Sequence, residues 1–345
     1  MSQVPLTYQE RGAALARFGY TEREGAFLCQ AALHGGYFLR RQYSQFLSRQ
    51  DGGSVAQLIE KALALDHARA LTFHPKTNIY HLYTRPFYEA LGQTDNRNRR
   101  QREPLTIKNK IMGFDYVLAH PANHYLATEQ EKVNYFTGAL QLPASVLPAK
   151  LYHSPENQTA RYFVEKYPIF LAPAVAGQPP VVSFCFVDEG MTTLSRFTTF
   201  LAQYAALFAA LARFRMIYVA AAPALFEAAR HAFERYLNHV PDQSNGASNT
   251  KDIPRLLDYF RARKLYQTKD LAAFDRDKLI RLRHDTEEFS GSQYAALFER
   301  WKVAGDAPVL EFLTSKTAPV APMSGAFSTC LLEISYDLFG TLTAF

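Results

Sequence analysis

TEREGAFLCQAALHGGYFLRRQYSQFLSRQDGGSVAQLIEKALALDHARALTFHPKTNIYHLYT, residues 21–84, decides the fold class. Thr21-Glu22-Arg23-Glu24 is a capping-box pattern: Thr21 closes the first helical turn and Glu24 reaches back to it. Ala26, Phe27, Ala31 and Leu33 follow at helical spacing, and His34-Gly35-Gly36 ends the helix. A second helical stretch runs from about 39 to 47, with Leu39, Tyr43, Phe46 and Leu47 on one side. After the turn at Asp51-Gly52-Gly53, Ser54 is read as the N-cap of a third helix with Val55, Leu58, Ile59, Ala62 and Leu65 on its inner face. The period then drops to two. Residues 68–74 read as a strand, Pro75–Asn78 as a turn and residues 79–84 as a second strand.

Three short helices and a β-hairpin predict a winged helix-turn-helix over residues 1–92. In that arrangement the third helix enters the major groove and the hairpin lies along the DNA backbone. Ser54, Gln57 and Lys61 then belong to the third helix, with Arg69 just beyond it. Lys76, Thr77 and Asn78 form the wing tip, and Arg40 and Arg41 flank the helical turn. Gln57, exposed between Val55 and Leu58, is the expected base reader, because a carboxamide pairs with adenine N6 and N7. The same elements used only for protein contacts are the alternative.

Charge supports the first reading. The 345-residue chain carries a net charge of +6, and residues 1–110 hold 16 Lys+Arg against 9 Asp+Glu. The remainder is close to neutral, so the sequence reads as a polyanion-binding module joined to a neutral one. Residues 93–104, QTDNRNRRQREP, add Arg97, Arg99, Arg100 and Arg102 as a basic linker. It reads either as an arm that touches phosphates or as a solvated hinge. The composition, 48% hydrophobic and 20% charged, excludes wholesale disorder. No apolar run is long enough for a membrane helix and no signal peptide is visible, so a membrane role is not expected. Cys29, Cys185 and Cys330 are odd in number and far apart, which argues against a disulfide framework or a zinc site and fits the cytoplasm.

The rest of the chain changes character. Residues 105–150 read as a helical connector, with a second capping box at Thr128. Residues 151–240 read as an α/β domain: an alternating aromatic segment at 161–172, the buried strand VVSFCFV at 181–187, a long helix at 194–214, a strand at 215–221 and a helix at 224–237. Residues 238–252 read as a loop. Residues 250–345 read as a helical C-terminal region with a loop-like tail from 313, whose apolar segment 330–339 docks back. The expected class is α+β.

No nucleotide-binding, hydrolase or zinc motif is present. The weak catalytic candidates are Glu165, Lys166, Asp188 and Glu189, since carboxylates at strand ends beside a lysine are what a nuclease uses to hold a divalent ion. Otherwise Asp188-Glu189-Gly190 caps the following helix. No cofactor is assigned, and Mg²⁺ enters only with the nuclease alternative.

The helices of 21–65, the hairpin of 68–84 and FVDEGMTTLSRFTTFLAQYAALF (186–208) resemble the replication-relaxation family, winged-helix proteins of plasmids and conjugative elements similar to mobilisation accessory proteins. The resemblance implies a restriction-endonuclease-like domain after the winged helix. In that domain the family's usual pattern is Pro-Asp, then Glu-x-Asp, Gly-Thr and a helix ending in Tyr. Asp188, Gly190, Thr192 and Tyr204 match it in type and spacing. Phe186 replaces the Glu, and Pro168-Ile169 lacks the first Asp, so a degenerate nuclease-like scaffold is implied. The expected function is a homodimeric double-stranded DNA-binding protein of a mobile element, acting as a transcriptional regulator or as a replication or mobilisation accessory factor. A metal-dependent nuclease and a pure protein-interaction module are the alternatives.

Overall fold

The computed structural model describes residues 8–48, 52–74, 77–153, 158–164, 167–172, 180–190, 193–238, 249–268, 274–289, 292–309 and 324–336. Lys76, Glu165, Lys166 and Thr192 lie outside the described residues.

Helix α1 (Tyr8–Ala13) and a 3₁₀ turn (Ala14–Phe18) lead into α2 (Glu22–His34). The capping box is present, with Thr21 Oγ1 accepting from the Glu24 N–H and the Glu24 carboxylate accepting from the Thr21 N–H. Helices α1 and α2 cross at Gly12 and Gly25, where a Cβ on either residue would fall 2.4–2.5 Å from the other's backbone. Strand β1 (Tyr37–Phe38) follows, then α3 (Arg40–Phe46) and α4 (Gly53–Ala64). Gly52 occupies the N-cap of α4, so Ser54 sits inside the first turn and does not cap it. Strands β2 (Ala68–His74) and β3 (Thr77–Leu82) form the expected hairpin, with β3 beginning two residues early. Strand β1, which the periodicity did not reveal, pairs antiparallel with β3 to close a sheet of order β1-β3-β2. Two residues are too short for a period-2 signal to register.

After α5 (Arg85–Ala90), the segment expected to be a basic linker is a packed strap. Asn98 is buried, and its side-chain amide donates to the carbonyls of Ala32 and Leu33 at 2.8 and 3.2 Å. The hinge reading of 93–104 is therefore corrected: a buried carboxamide ties the strap to the end of α2, where a charge count alone sees only solvated arginines.

The connector is corrected as well. Helix α6 (Pro104–Ala119) is buried along Ile107, Ile111, Met112, Phe114, Tyr116 and Val117. It packs on α2, α3 and β1 on one side and on strands of the central sheet on the other. A helix apolar around most of its circumference belongs inside a core. Strand β4 (His124–Tyr125) and α7 (Glu129–Asn134), capped by Thr128, follow, with α7 continuing into a π turn at Tyr135–Ala139.

Strands β5 (Ala149–His153) and β6 (Gln158–Tyr162) make a separate hairpin. The central sheet is built from β7 (Ile169–Leu171), β8 (Val182–Asp188), β9 (Arg213–Ala220) and β10 (Ser324–Leu331), in the order β10-β9-β8-β7-β4. Strands β8, β9 and β10 are parallel, β7 runs antiparallel to β8, and β4 runs antiparallel to β7. Every residue of β8 is buried, as a parallel central strand covered on both faces requires. The expected 194–214 helix is broken at Tyr204 into α8 (Ser195–Gln203) and α9 (Ala205–Ala210), and α10 (Phe226–Asn238) follows β9.

The chain divides into two units, residues 1–237 with 322–345, and residues 238–321. One continuous core joins the helices of the N-terminal third to the central sheet, so residues 1–92, 105–150 and 151–240 do not separate as domains. The second unit holds α11 (Asn249–Gln267), α12 (Arg276–Glu288) and α13 (Ser292–Ala304) around Phe260, Phe298 and Trp301. A helical region ending at 345 is corrected accordingly: the helical unit is an insertion in the β9–β10 crossover, and the tail returns as a sheet strand. Gly325 lets β10 lie close to α10, because a Cβ there would come within 2.8 Å of the Phe233 ring and 2.9 Å of the Phe214 ring. Among the described residues no helix is long and apolar enough to cross a membrane.

Candidate nucleic-acid interface

Helix α4 buries Val55, Leu58, Ile59 and Ala62 and turns Ser54, Gln57, Glu60 and Leu63 outward. Gln57 is therefore exposed as expected. Lys61 is not part of that outer face. Its ammonium donates to Glu24 Oε2 at 2.7 Å and to the Gly19 carbonyl at 3.0 Å, clamping α4 to the N-terminus of α2.

The arginines separate into three groups. Arg41 is structural: its two Nη atoms donate to the two oxygens of the buried Asp115 at 2.6 and 2.7 Å. Asp115 also accepts from Gln42 at 2.9 Å and from the Tyr336 hydroxyl at 2.7 Å. Arg69 lies over the Tyr83 ring at 4.9 Å and donates to His81 Nδ1 at 3.3 Å. Arg99 is held by the carbonyls of Tyr83 and Thr94. Arg40, the first residue of α3, and Arg100 are exposed. At the hairpin, Thr77 is half-buried, and Asn78 is exposed and accepts from Thr72 Oγ1 at 2.8 Å.

The third group converges on a cleft of about 250 Å³, whose walls include Arg97, Arg102, Lys110 and Arg196 together with Asn109 and Tyr152. Arg97 donates to the Tyr152 hydroxyl at 3.1 Å and stacks 4.7 Å over its ring. That hydrogen bond, with the charges of Arg97, Lys150 and Arg102, holds the Tyr152 phenol below its ordinary range. Lys110 donates to Asn98 Oδ1 at 3.1 Å. Lys110 and Arg196 were missed in the sequence because each sits amid ordinary helical surface, 86 positions apart, and only the fold makes them neighbours.

The carboxylates at the end of β8 are drawn into internal bonds. Asp188 accepts from the Gly190 N–H at 2.9 Å and from the Tyr218 hydroxyl at 2.7 Å. Glu189 is buried, accepts from Asn109 at 3.1 Å and pairs with Arg196. Helix α8 starts only at Ser195, so the pair does not cap it. Among the described residues no group of three or more His, Cys, Asp or Glu converges in a metal-like cluster. The three cysteines are free thiols. Comparison with protein-family models, curated proteins and solved structures finds no match.

Proposed function

We propose that the chain is a double-stranded DNA-binding protein whose N-terminal third is a winged helix-turn-helix. The observation that carries the reading is the convergence of Arg97, Arg102, Lys110 and Arg196 on one cleft beside the exposed ring of Tyr152. Cations from three segments, gathered on one cleft, suit a phosphodiester backbone. The order α2-β1-α3-α4-β2-β3, with the β1-β3-β2 sheet, supports the winged-helix assignment. The outer face of α4, with Ser54 and Gln57, then supplies base contacts, while Arg40, Arg100 and the cleft supply phosphate contacts. The proposed setting, a plasmid or other mobile element, rests on the resemblance of residues 21–84 and 186–208 to the replication-relaxation family. A cytoplasmic homodimer reading a two-fold site completes the proposal, as is usual for helix-turn-helix proteins.

Full-length protein titrated with a labelled random duplex at several salt concentrations tests this. Affinity should fall steeply as salt rises, and Arg102→Ala should flatten the log–log slope by about one unit. Absence of binding at low salt, or a slope unchanged by Arg102→Ala, removes the cleft as the phosphate surface. Light scattering at micromolar concentration should give twice the chain mass.

A further inference from the structure

A second pocket, of about 580 Å³, opens beside the strap between Gly92–Arg97, the start of α7 and the end of β6. Lys132 forms part of its wall and is only 4% exposed. Its backbone N–H donates to the Thr128 carbonyl at 3.2 Å, while among the described residues its ammonium makes neither a hydrogen bond nor an ion pair. Its ammonium lies 5.7 Å over the Phe163 ring. The two neighbouring carboxylates are engaged elsewhere. Glu131 pairs with Arg11 and accepts from the Thr128 N–H, while Glu129 accepts from the Tyr162 N–H at 2.8 Å and faces Arg161 at 3.9 Å. Burial lowers the Lys132 amine to about 8, so near neutral pH it is still mostly a cation. Glu131 and Glu129 favour the cation through space without pairing with it, and a buried cation that lacks an ion-pair partner is costly unless something compensates it.

We propose that this pocket binds a small organic anion, bearing a phosphate or a carboxylate, whose charge Lys132 neutralises. Gln93 and Thr94 line the same space as polar groups for the remainder of such a molecule, and its charged lining combines the carboxylates Asp95 and Glu129 with Arg161 and Arg97. Arg97 borders both this pocket and the cationic cleft. The inference goes beyond DNA binding and stands without it, because Lys132 lines this pocket and does not line the cationic cleft.

The probe is pyridoxal 5′-phosphate, a small anion with an aldehyde. Its carbonyl condenses with the Lys132 amine to an imine with loss of water, and added borohydride delivers hydride to the C=N bond, fixing a secondary amine. Full-length protein is treated, reduced, digested and mapped by mass spectrometry. Lys132 should be modified ahead of the exposed lysines, and millimolar inorganic phosphate or acetate should suppress its labelling at least severalfold relative to chloride of equal ionic strength. The anion that protects better identifies the charged group. Labelling of exposed lysines with Lys132 untouched, or labelling that neither anion suppresses, overturns the proposal. In parallel, the anion-dependent rise in Tm of the wild type should vanish in Lys132→Met, and a rise fully retained in that variant also overturns it. Should Lys132→Met fail to fold, the labelling of the wild type decides alone.

Discussion

At the scale of the residue, two buried groups show why basic and polar positions cannot be assigned from type alone. Arg41 has the composition of a phosphate contact and the geometry of a core ion pair, because Asp115 waits for it 74 positions downstream. Asp115 binds Arg41, Gln42 and Tyr336 with no exposed side-chain surface. Asp115→Ala leaves a guanidinium, an amide and a phenol underpaired. It should cost about 3–5 kcal/mol in urea denaturation, the range for breaking a buried pair. A loss below about 1 kcal/mol would show that this network is peripheral to stability. His81 is the second case. Its Nε2–H donates to the Asn98 carbonyl and Nδ1 accepts from Arg69, which fixes the neutral tautomer, and burial lowers its pKa to about 4. The unfolded chain, with its histidine near 6.5, binds the proton first. The contribution is therefore complete above about pH 6.5 and is lost as pH falls toward 4, amounting to about 3 kcal/mol at roughly 1.4 kcal/mol per unit. His81→Gln retains a donor for Asn98 and should flatten the stability–pH curve in that window. An unchanged slope would place the acid sensitivity elsewhere, with His34, also lowered by burial, the next candidate.

At the scale of the element, local patterns were legible and long-range partnerships were not. The capping boxes at Thr21 and Thr128 need only an i to i+3 relation, and both helix starts match the sequence reading. The inner face of α4 was equally plain in the spacing of Val55, Leu58, Ile59 and Ala62, whereas Leu65, read onto the same face, stands at the C-cap and is exposed. Lys61 was misread because its partners, Gly19 and Glu24, lie 42 and 37 positions away. Strand β10 was misread because Ser324, Gly325, Ser328 and Thr329 are weak signals for a strand, and only an edge position paired with β9 makes them one. The cationic cleft shares this origin: Arg97 and Arg102 stood out as a basic run, whereas Lys110 and Arg196 join them only through α6 and α8. A paired comparison on α4 follows. Gln57→Ala should narrow the affinity ratio between a selected site and a random duplex by about 1–3 kcal/mol with little change in Tm. Lys61→Met should do the reverse, lowering Tm while leaving that ratio intact, since its ammonium serves Glu24. If both variants change discrimination equally, α4 is not read as placed.

At the scale of the whole molecule, the order of the sheet explains why the chain does not divide where its composition does. Helix α6 is shared by the N-terminal helices and the central sheet, so charge asymmetry between the first third and the rest marks a surface property within one core. The β9–β10 crossover carries residues 238–321 as an insert, and the returning segment supplies the outer parallel strand and the Tyr336 bond to Asp115. Opposite consequences follow for two deletions. A chain ending at 321 exposes the full length of β9 as an unpaired edge and strips one donor from a buried carboxylate, a combination that favours aggregation. It should lose its cooperative thermal transition or melt far lower than the wild type. A chain in which 250–310 is replaced by a flexible Gly-Ser linker keeps β10 and should retain a cooperative transition, because the helical unit has its own core around Phe260, Phe298 and Trp301. Loop closure adds only about 0.6 kcal/mol for each doubling of linker length, so the linker itself is not the obstacle. Circular dichroism melts of the two variants beside the wild type decide the matter. An intact transition in the first, or its loss in the second, would mean that the insert and not the returning strand holds the sheet together.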